Sequence, residues 1–596
     1  MIFIDVGYDA SGNGNNWTAN NINNDTTSTS TDVMVDSPTR YGTDTGAGGE
    51  VRGNYCTWNP LTDVSSLVIS NGNLTVTSTV DDWPVVTGTL GVSSGKYYYE
   101  ISTTDQTRWG AGWSTKEFVT GSTFANSIAN AYLAYSTDPL SKYDLGSSTN
   151  PINGSPAFTP SDILQIAIDV DAGKIWYGID NVWVNDGAGN AGNPATGANP
   201  VSTFTAGTQM FPTVVVNRAD ITANFGQRPF AYTAPSGFKA LCTTNLPTPT
   251  IADGGEYFNA LTYTGDGNNP RTVTGVGFNP DFVWIKSRSL ATSHLLNDVI
   301  RGGNASLFSE STAAETANNG GGYLSAFATD GFTVTAGGSG DNAVNNTSDT
   351  YVAWNWKANG SGVSNTAGSI SSTVSVNTTA GFSIVGYASG AAGQKTVGHG
   401  LGVAPSMIIT KSRSSASFSW AVYHSSVCDT TSKFLRLNTT DAIATFSTIW
   451  GAALPTSTVF GITSNGGVVE NTNCIAYCFA PVAGYSAFGK YTGNGLADGP
   501  FVYTGFRPRY VMVKRTDIGG AGFDWFIWDT ARDTYNQMAS NLTANQSVAE
   551  GVTAYPLDAL SNGFKVRNSA TAYNASGGTY IYMTFAENPF KLALAR

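Results

Sequence analysis

The sequence predicts an all-β protein, in which a first β-sandwich is followed by three tandem β-sandwich domains. From about residue 63 onward, short apolar runs with alternating polarity are separated by turn residues, as in antiparallel sheets. The chain has 68 glycines and 12% aromatic residues, which supply turns and enough bulk for cores. In the C-terminal part, a strand-like run that places a lysine six positions after a proline occurs three times.

Length and charge limit the number of domains and the class of partner. At about 100–200 residues a domain, 596 residues are enough for several domains. The chain has 30 basic and 42 acidic residues, a net charge of −12. Because phosphate binding needs clustered lysines and arginines, and the sequence has no basic run, we expect no nucleic-acid partner. No run approaches the roughly 18 apolar residues of a membrane span, so we expect none.

Residues 1–62 form an Asn-, Thr- and Gly-rich N-terminal extension with isolated aromatic residues. This composition is too polar for a core of its own, and we expect the extension to wrap around a neighbouring domain or a partner subunit. The first ten residues have neither the basic region nor the apolar region of a signal peptide.

Residues 63–245 predict the first sandwich. In "GKYYYEIS" (95–102), the period of two places Tyr97 and Tyr99 on one face of a strand and Tyr98 and Glu100 on the other. The stretch 161–184 predicts two strands joined by a tight turn at 171–173.

The same turn has the acidic residues of a calcium loop, because Asp169, Asp171 and Asp180 have part of the required spacing. Lys174, however, occupies the position at which that loop needs a glycine for its sharp turn. We therefore favour the hairpin turn and expect no metal there.

The order of these strands resembles that of the SPRY domain, a β-sandwich used for protein recognition. The matching stretches are 95–100, 110–113, 162–183, 211–212 and 224–226. The continuation at 224–247, together with "DASGNGNNWTANNI" (9–22), resembles a module common in tail fibres and other virion proteins of tailed bacteriophages. This resemblance implies a virion protein.

A linker is predicted at 246–257, where two prolines and two glycines stand close together. Beyond it, "NPDFVWIKSRS", "APSMIITKSRS" and "RPRYVMVKRTD" align at 279–289, 404–414 and 507–517. We interpret the C-terminal part as three copies of one module: unit 1 (258–365), unit 2 (366–486) and unit 3 (487–596). Because a period above 100 residues is too long for a solenoid that shares its core, we expect independent domains in series. The same triplication resembles the C-terminal repeats of phage tail fibre proteins.

The aligned lysines mark the ends of the three predicted strands. Residues on both faces of these strands are apolar, which is typical of a central strand covered on both sides. Lys286, Lys411 and Lys514 then lie where each strand ends, and we expect their stems to pack on the core with the ammonium groups in water. A role in ligand binding is the alternative.

Four aromatic residues are the candidate receptor- or glycan-binding residues, because exposed aromatic rings near Asp or Asn suit carbohydrate. They occur at aligned positions of units 2 and 3, where unit 1 has His294 and Asn297. The alternative is that they belong to the sandwich cores. The four candidates are Trp420, Tyr423, Trp525 and Trp528.

The sequence predicts no catalytic residue, no metal site and no cofactor. The five cysteines are an odd number at low density, so we expect free thiols. Cys474 and Cys478 fall on one face of a strand as small apolar residues. The three histidines do not form an aligned set, and no nucleophile elbow or phosphate-binding loop is present. We therefore expect that the chain is not an enzyme.

The expected function is that of a tail fibre, a structural protein of the virion that binds a receptor on the host surface. The resemblance implies a homotrimer on the outside of the virion, assembled in the host cytoplasm. Its partners would be other tail or capsid proteins and a host surface glycan or protein. Two alternatives remain open: a tailspike that degrades glycan with paired carboxylates, and a capsid-decorating or connecting protein without a receptor.

Overall fold

The computed structural model describes residues 53–61, 66–81, 83–105, 108–115, 131–136, 141–144, 147–151, 158–184, 189–337, 344–464, 472–552, 555–589 and 591. Most of the predicted N-terminal extension, residues 1–52, lies outside the described residues. The described chain is nearly all-β, as predicted. Its helices are the single α-helical turn Thr571–Asn574 and the 3₁₀ turns Pro194–Thr196, Thr243–Asn245 and Gly254–Glu256.

The first sandwich consists of two sheets, which are antiparallel except for one parallel strand pair. One has nine strands, in the order β1-β2-β14-β4-β9-β10-β11 with β12 and β15 at the side, and the other has six, in the order β3-β13-β5-β6-β7-β8. The strands are β1 (Leu67–Ser70), β2 (Thr75–Ser78), β3 (Val85–Thr87), β4 (Lys96–Ser102), β5 (Trp109–Ser114), β6 (Ala131–Tyr135), β7 (Ser141–Asp144), β8 (Ser147–Pro151), β9 (Leu164–Asp169), β10 (Lys174–Ile179), β11 (Val182–Trp183), β12 (Ser202–Thr203), β13 (Phe211–Val216), β14 (Asp220–Asn224) and β15 (Lys239–Ala240).

The two faces of β4 are used as the sequence predicts. Tyr97 and Tyr99 lie in the core between the sheets. Tyr98 lies in a second cluster on the outer side, and its hydroxyl donates to the Glu100 carboxylate at 2.9 Å. The turn between β9 and β10 joins two antiparallel strands, so the predicted hairpin is confirmed.

Unit 1 has a six-stranded sheet, in the order β16-β24-β18-β19-β20-β21, and a three-stranded sheet, in the order β17-β23-β22. The strands are β16 (Phe258–Thr264), β17 (Arg271–Thr274), β18 (Phe282–Ser287), β19 (Leu295–Asp298), β20 (Gly302–Leu307), β21 (Thr316–Ala317), β22 (Tyr323–Ala328), β23 (Gly331–Thr335) and β24 (Thr350–Trp356).

Unit 2 has an eight-stranded sheet, in the order β25-β26-β27-β34-β29-β30-β31-β32, and a two-stranded sheet of β28 and β33. The strands are β25 (Val363–Asn365), which precedes the predicted boundary, β26 (Ser372–Asn377), β27 (Phe382–Ala388), β28 (Gly393–Gly398), β29 (Met407–Ser412), β30 (Ala421–His424), β31 (Lys433–Arg436), β32 (Ala444–Thr445), β33 (Val459–Ser464) and β34 (Asn473–Phe479).

Unit 3 has a five-stranded sheet, in the order β35-β42-β37-β38-β39, and a three-stranded sheet, in the order β36-β41-β40. The strands are β35 (Ser486–Thr492), β36 (Phe501–Tyr503), β37 (Phe506–Arg515), β38 (Trp525–Asp529), β39 (Leu542–Thr543), β40 (Leu557–Leu560), β41 (Gly563–Val566) and β42 (Thr579–Pro589).

The strands that contain the aligned lysines are central in their sheets, as predicted. β18, β29 and β37 each pair on one side with the last long strand of the unit and on the other with the next strand along the chain. In β18, Phe282 and Trp284 face one hydrophobic cluster, whereas Val283 and Ile285 face another.

The three units are not independent domains. Each has a cluster of its own, but one further cluster contains buried residues from all three, among them Trp356 of unit 1, Phe479 of unit 2 and Phe585 of unit 3. The expectation of domains in series is therefore wrong, because the larger sheet of each unit turns one apolar face towards the other two units. Even the predicted linker takes part, since Ile251 is buried in the shared cluster.

Candidate functional site

The four aromatic residues predicted to bind a receptor are all buried. Trp420 and Trp525 lie in the shared cluster, whereas Tyr423 and Trp528 lie in the clusters of units 2 and 3. At most 5% of each side chain is exposed. A buried ring presents no face to a sugar, so these residues are core residues in this structure. Successive side chains of β30 and β38 point to opposite faces of the sheet, and each face packs in a different hydrophobic cluster.

Two of these indoles and one imidazole link neighbouring units. Trp420 Nε1 donates to Phe308 O of unit 1 at 2.8 Å, and Trp525 Nε1 donates to Arg436 O of unit 2 at 2.9 Å. At the aligned position of unit 1, His294 Nε2 lies 3.0 Å from Thr543 O of unit 3. Each unit thus contacts the next, and the three contacts close a cycle.

The three aligned lysines are buried as well, which corrects the expectation that their ammonium groups lie in water. Lys286 Nζ donates to Ser287 O and Leu290 O at 2.7 and 3.1 Å, and Lys411 makes two equivalent bonds. Lys514 instead reaches Thr440 O of unit 2 at 3.3 Å, besides Arg515 O at 2.7 Å.

Burial lowers the pKa of all three lysines to about 8. Each ammonium group donates to two backbone carbonyls, so the lysines have a structural role in this arrangement.

A buried charged network joins units 1 and 2; we call this contact seam 1/2. Asp298 Oδ2 accepts from Arg301 Nε at 2.6 Å and from the Tyr477 hydroxyl of unit 2 at 2.8 Å. Arg301 also forms an ion pair with Glu315 at 3.3 Å. Arg413 of unit 2 donates two hydrogen bonds of 2.8 Å to the same carboxylate. Burial acts to raise the pKa of Glu315, but the two arginines hold it below its usual value.

The same network joins units 3 and 1, at seam 3/1. Asp529 Oδ2 accepts from Arg532 Nε at 2.6 Å and from Trp354 Nε1 of unit 1 at 2.9 Å. Arg532 bonds Glu550 at 2.9 Å, and Arg288 of unit 1 binds that carboxylate at 2.8 Å. The serine-flanked arginines of the aligned "KSRS" stretches therefore bind the carboxylate of a neighbouring unit, a role that sequence reasoning missed.

The third contact, seam 2/3, lacks this network. At the positions aligned with Asp298, Arg301 and Tyr477 stand His424, Val427 and Met583, and the other two network positions hold Ile443 and Thr516. Val427, Ile443 and Met583 pack in or against the shared cluster. His424 Nε2 lies 3.2 Å from Tyr582 O of unit 3. The network is thus absent as a whole, and no charged member of it is left unpaired at this seam.

The backbone keeps one bond at every seam. Glu315 N donates to Arg413 O at 2.7 Å, and Glu550 N donates to Arg288 O at 2.8 Å. Ile443 N donates to the carbonyl of unit 3 residue Thr516 at 2.9 Å.

Two histidines hold unit 3 against its neighbours in their neutral form. His294 Nδ1 accepts from Trp284 Nε1 at 2.9 Å and His424 Nδ1 from Ser426 N at 3.3 Å, so each Nε2 carries the proton towards unit 3. Burial lowers the pKa of His424 to about 4, and it lowers that of His294 well below its usual value. Protonation would place a second N–H against an N–H donor.

We therefore expect acid to destabilise the fold. An unfolded histidine takes up its proton near pH 6.5, whereas these folded histidines resist it, so stability is complete above that pH and is lost as the pH falls towards 4. The free energy of unfolding should fall by about 1.4 kcal/mol per pH unit for each histidine below pH 6.5. Urea unfolding at pH 7 and pH 5 measures this change in the free energy of unfolding. In His424→Gln the change between the two pH values should be smaller. An unchanged value would contradict the role given to His424.

The acidic residues of the calcium-like turn have protein partners. Asp169 forms an ion pair with Lys96 at 3.0 Å and accepts from Ala172 N at 2.9 Å. Lys174 bonds Gly197 O at 2.8 Å. The residues described by the structure contain no group of three or more His, Cys, Asp or Glu placed to hold a metal ion. All five cysteines are free, as predicted, and all five are buried.

The first sandwich is docked on unit 3. Tyr503 donates its hydroxyl to Gly91 O at 3.2 Å and packs edge-on against Phe211. Asn562 donates to Thr89 O at 3.0 Å, and Lys565 donates to Leu61 O, at the end of the predicted N-terminal extension, at 3.2 Å. The sandwich and unit 3 are thus held together by side chains of β36, β41 and the turn before β41.

An open cavity of about 240 Å³ lies on the outer side of the sandwich, beside β4 and β14. Its lining includes Glu100, Ser102, Asn224 and Arg228. The Glu100 carboxylate is already bonded to Ala231 N at 2.8 Å, to Tyr232 N and to Tyr98. The cavity is thus lined by both polar and apolar residues, and its buried acid serves to hold the chain segment that follows β14.

The most exposed aromatic side chain among the described residues belongs to a residue that sequence reasoning missed. Tyr535 is 80% exposed, the highest value among the large hydrophobic residues that the structure describes. It lies in a loop of unit 3 rather than in a strand. The sequence signal was weak, because a single tyrosine between polar residues has no periodicity that reveals its exposure.

Two family models match the chain. One, described as "Domain of unknown function (DUF7483)", matches residues 253–589. This single match extends over units 1 to 3 and includes all three seams. The other, the SPRY domain, matches residues 96–228, so the predicted SPRY sandwich is confirmed. Within the described residues, no helix has the length and apolar character needed to cross a membrane.

Solved structures include similar SPRY domains. The SPRY domain of human HERC1 is 15% identical, with 28% of this chain and 96% of that chain covered and a TM-score of 0.22. The PSpry domain of TRIM65 is 14% identical, with 29% and 92% covered and a TM-score of 0.22.

Proposed function

The chain belongs to the family described as a domain of unknown function (DUF7483), and we propose that this member is a tail fibre of a tailed bacteriophage that binds a receptor on the host surface. The resemblance of 9–22 and 224–247 to virion proteins supports the phage assignment. The observation that carries the receptor role is the docking of a SPRY domain on a body of three units with one core. Such a body presents a recognition domain and several loops in a fixed arrangement.

We further propose that units 1, 2 and 3 are copies of one module closed into a cycle. In each main sheet, the lysine strand lies between the last long strand and the next strand along the chain, and this shared order supports the proposal. The equivalent seam bonds between successive units support it too. The homotrimer implied by the resemblance stays a prediction, which a mass measurement of the native protein tests.

Two experiments test the receptor role. The purified chain, added to host cells before the phage, should lower the adsorption rate several-fold by occupying receptors. Immunogold labelling of the virion should place the chain at the outer end of a tail appendage. If the label lies on the capsid or at a joint between virion proteins, and adsorption is unchanged, the connecting alternative replaces the receptor role.

A further inference from the structure

The three units differ in the length of the connection that follows the strand paired with the lysine strand. Counted up to the leucine that pairs with that strand in each unit (Leu307, Leu435 and Leu542), it has eight residues in unit 1 (299–306), ten in unit 2 (425–434) and twelve in unit 3 (530–541). The connection of unit 3 is thus the longest of the three. Loops held on a stable scaffold are where binding functions are most often found.

Side chains at the tip of this loop are exposed. Thr534, Tyr535, Asn536 and Gln537 all face solvent, and Tyr535 is exposed to 80%. A tyrosine offers a large flat ring with a polar end and loses little conformational freedom on binding, which suits it to recognition.

The loop is anchored close to Tyr535 on both sides. Asn536 donates to Ala559 O at 2.9 Å and accepts from Ala559 N at 2.8 Å. Asp533 accepts from both the backbone and the hydroxyl of Ser540, at 2.6 and 2.9 Å. Met538 then exchanges two backbone bonds with Leu557. The loop is therefore ordered before a ligand arrives, and binding pays little for ordering it.

The loop and its continuation, residues 534–549, contain no charged side chain. This stretch therefore supplies no cation to an anionic ligand, in a chain whose net charge is −12. A protein partner needs about 800 Å² of surface on each side, far more than one ring and its neighbours provide. An uncharged sugar needs less: one ring face for its C–H groups, and hydroxyl and amide groups for its own hydroxyls.

We propose that Tyr535, with Thr534 and Gln537 beside it, forms a contact site for an uncharged sugar of a host surface glycan. The site rests on the proposed receptor role and gives it a place and a ligand class. A single such contact is weak, and repetition of the chain on a virion would raise the overall affinity.

The test uses the full chain on an array of bacterial polysaccharides, with neutral glucans, galactans and mannans beside acidic uronate and sialate polymers. The unaltered chain should bind neutral spots. Tyr535→Ala should lower that binding at least tenfold, while Tyr535→Phe keeps most of it. Val363→Ala, at another exposed apolar residue, is the matched control and should bind as the unaltered chain does. All four proteins should unfold at the same temperature.

The outcomes separate this site from the proposed function. Binding to acidic polymers alone, binding that Tyr535→Ala leaves unchanged, or no binding to any neutral polysaccharide would overturn the site. The receptor role is decided independently by adsorption, because a chain that blocks adsorption equally well with and without Tyr535 remains a receptor-binding protein that uses another surface.

Discussion

Arg301→Met is expected to lower the free energy of unfolding by about 3–5 kcal/mol, the cost of leaving a buried charge without its partner. The Arg301 and Asp298 side chains are both completely buried, and their ion pair measures 2.6 Å. Without the guanidinium, the Asp298 carboxylate keeps neutral donors such as Tyr477 but no cation. Urea unfolding followed by tryptophan fluorescence measures the loss.

Two controls define the cause of that loss. Lys433→Met removes one member of an ion pair with Asp429 that is largely exposed, and should cost below about 1 kcal/mol. A fivefold variant that gives seam 1/2 the residues of seam 2/3 should be more stable than Arg301→Met alone, because it removes the network as a whole. Its substitutions are Asp298→His, Arg301→Val, Glu315→Ile, Arg413→Thr and Tyr477→Met. If the fivefold variant were the less stable of the two, the charges themselves would be the source of stability.

Trp356→Ala is expected to destabilise all three units together, by about 3–5 kcal/mol. The indole of Trp356 lies in the shared cluster, with ring centroids 5.0 Å from Phe282 of its own unit, 6.4 Å from Phe479 of unit 2 and 5.7 Å from Phe585 of unit 3. The cavity left by the indole would be lined by residues of all three units, so the packing of every unit would be weakened.

Hydrogen exchange read by mass spectrometry tests this expectation segment by segment. Trp356→Ala should raise the exchange of slowly exchanging amides in β24, β34 and β42 alike. Trp176→Ala, in the outer cluster of the SPRY sandwich, should act chiefly on the sandwich. Faster exchange confined to unit 1 in the Trp356 variant would mean that the units unfold separately in spite of their common cluster.

The sequence predicts strands well here but predicts their surroundings less well. The alternation in β4 and the two apolar faces of β18 are local properties, so Tyr97 and Trp284 could be assigned to faces without a structure. Which apolar face meets water, another sheet or another unit depends on tertiary contacts. That is why Trp420 and Trp528 were candidates for an exposed platform, and why the Lys286 ammonium was expected in water.

The seams were beyond prediction for a different reason. Arg413 and Glu315 are 98 positions apart, and Arg288 and Glu550 are 262 positions apart, so no spacing rule connects them. The aligned lysines can be recognised in the sequence because their spacing repeats. The arginines two positions further on, which bind across the seams, have no counterpart in unit 3, where Thr516 stands. The exposure of Tyr535 could not be predicted, because a single loop residue produces no periodic pattern in the sequence.

Because the three seams form a closed cycle, unit 3 contacts unit 1 although the two are far apart along the chain. Gly254, just before unit 1, lies against the backbone of Ala586 at the end of unit 3, and Phe258 stacks on Phe585 at 4.9 Å. The start and the end of the three-unit body are therefore neighbours. A circularly permuted gene for residues 254–589, opened between units 1 and 2 and joined across this point, would keep every seam while giving the three-unit body a new beginning.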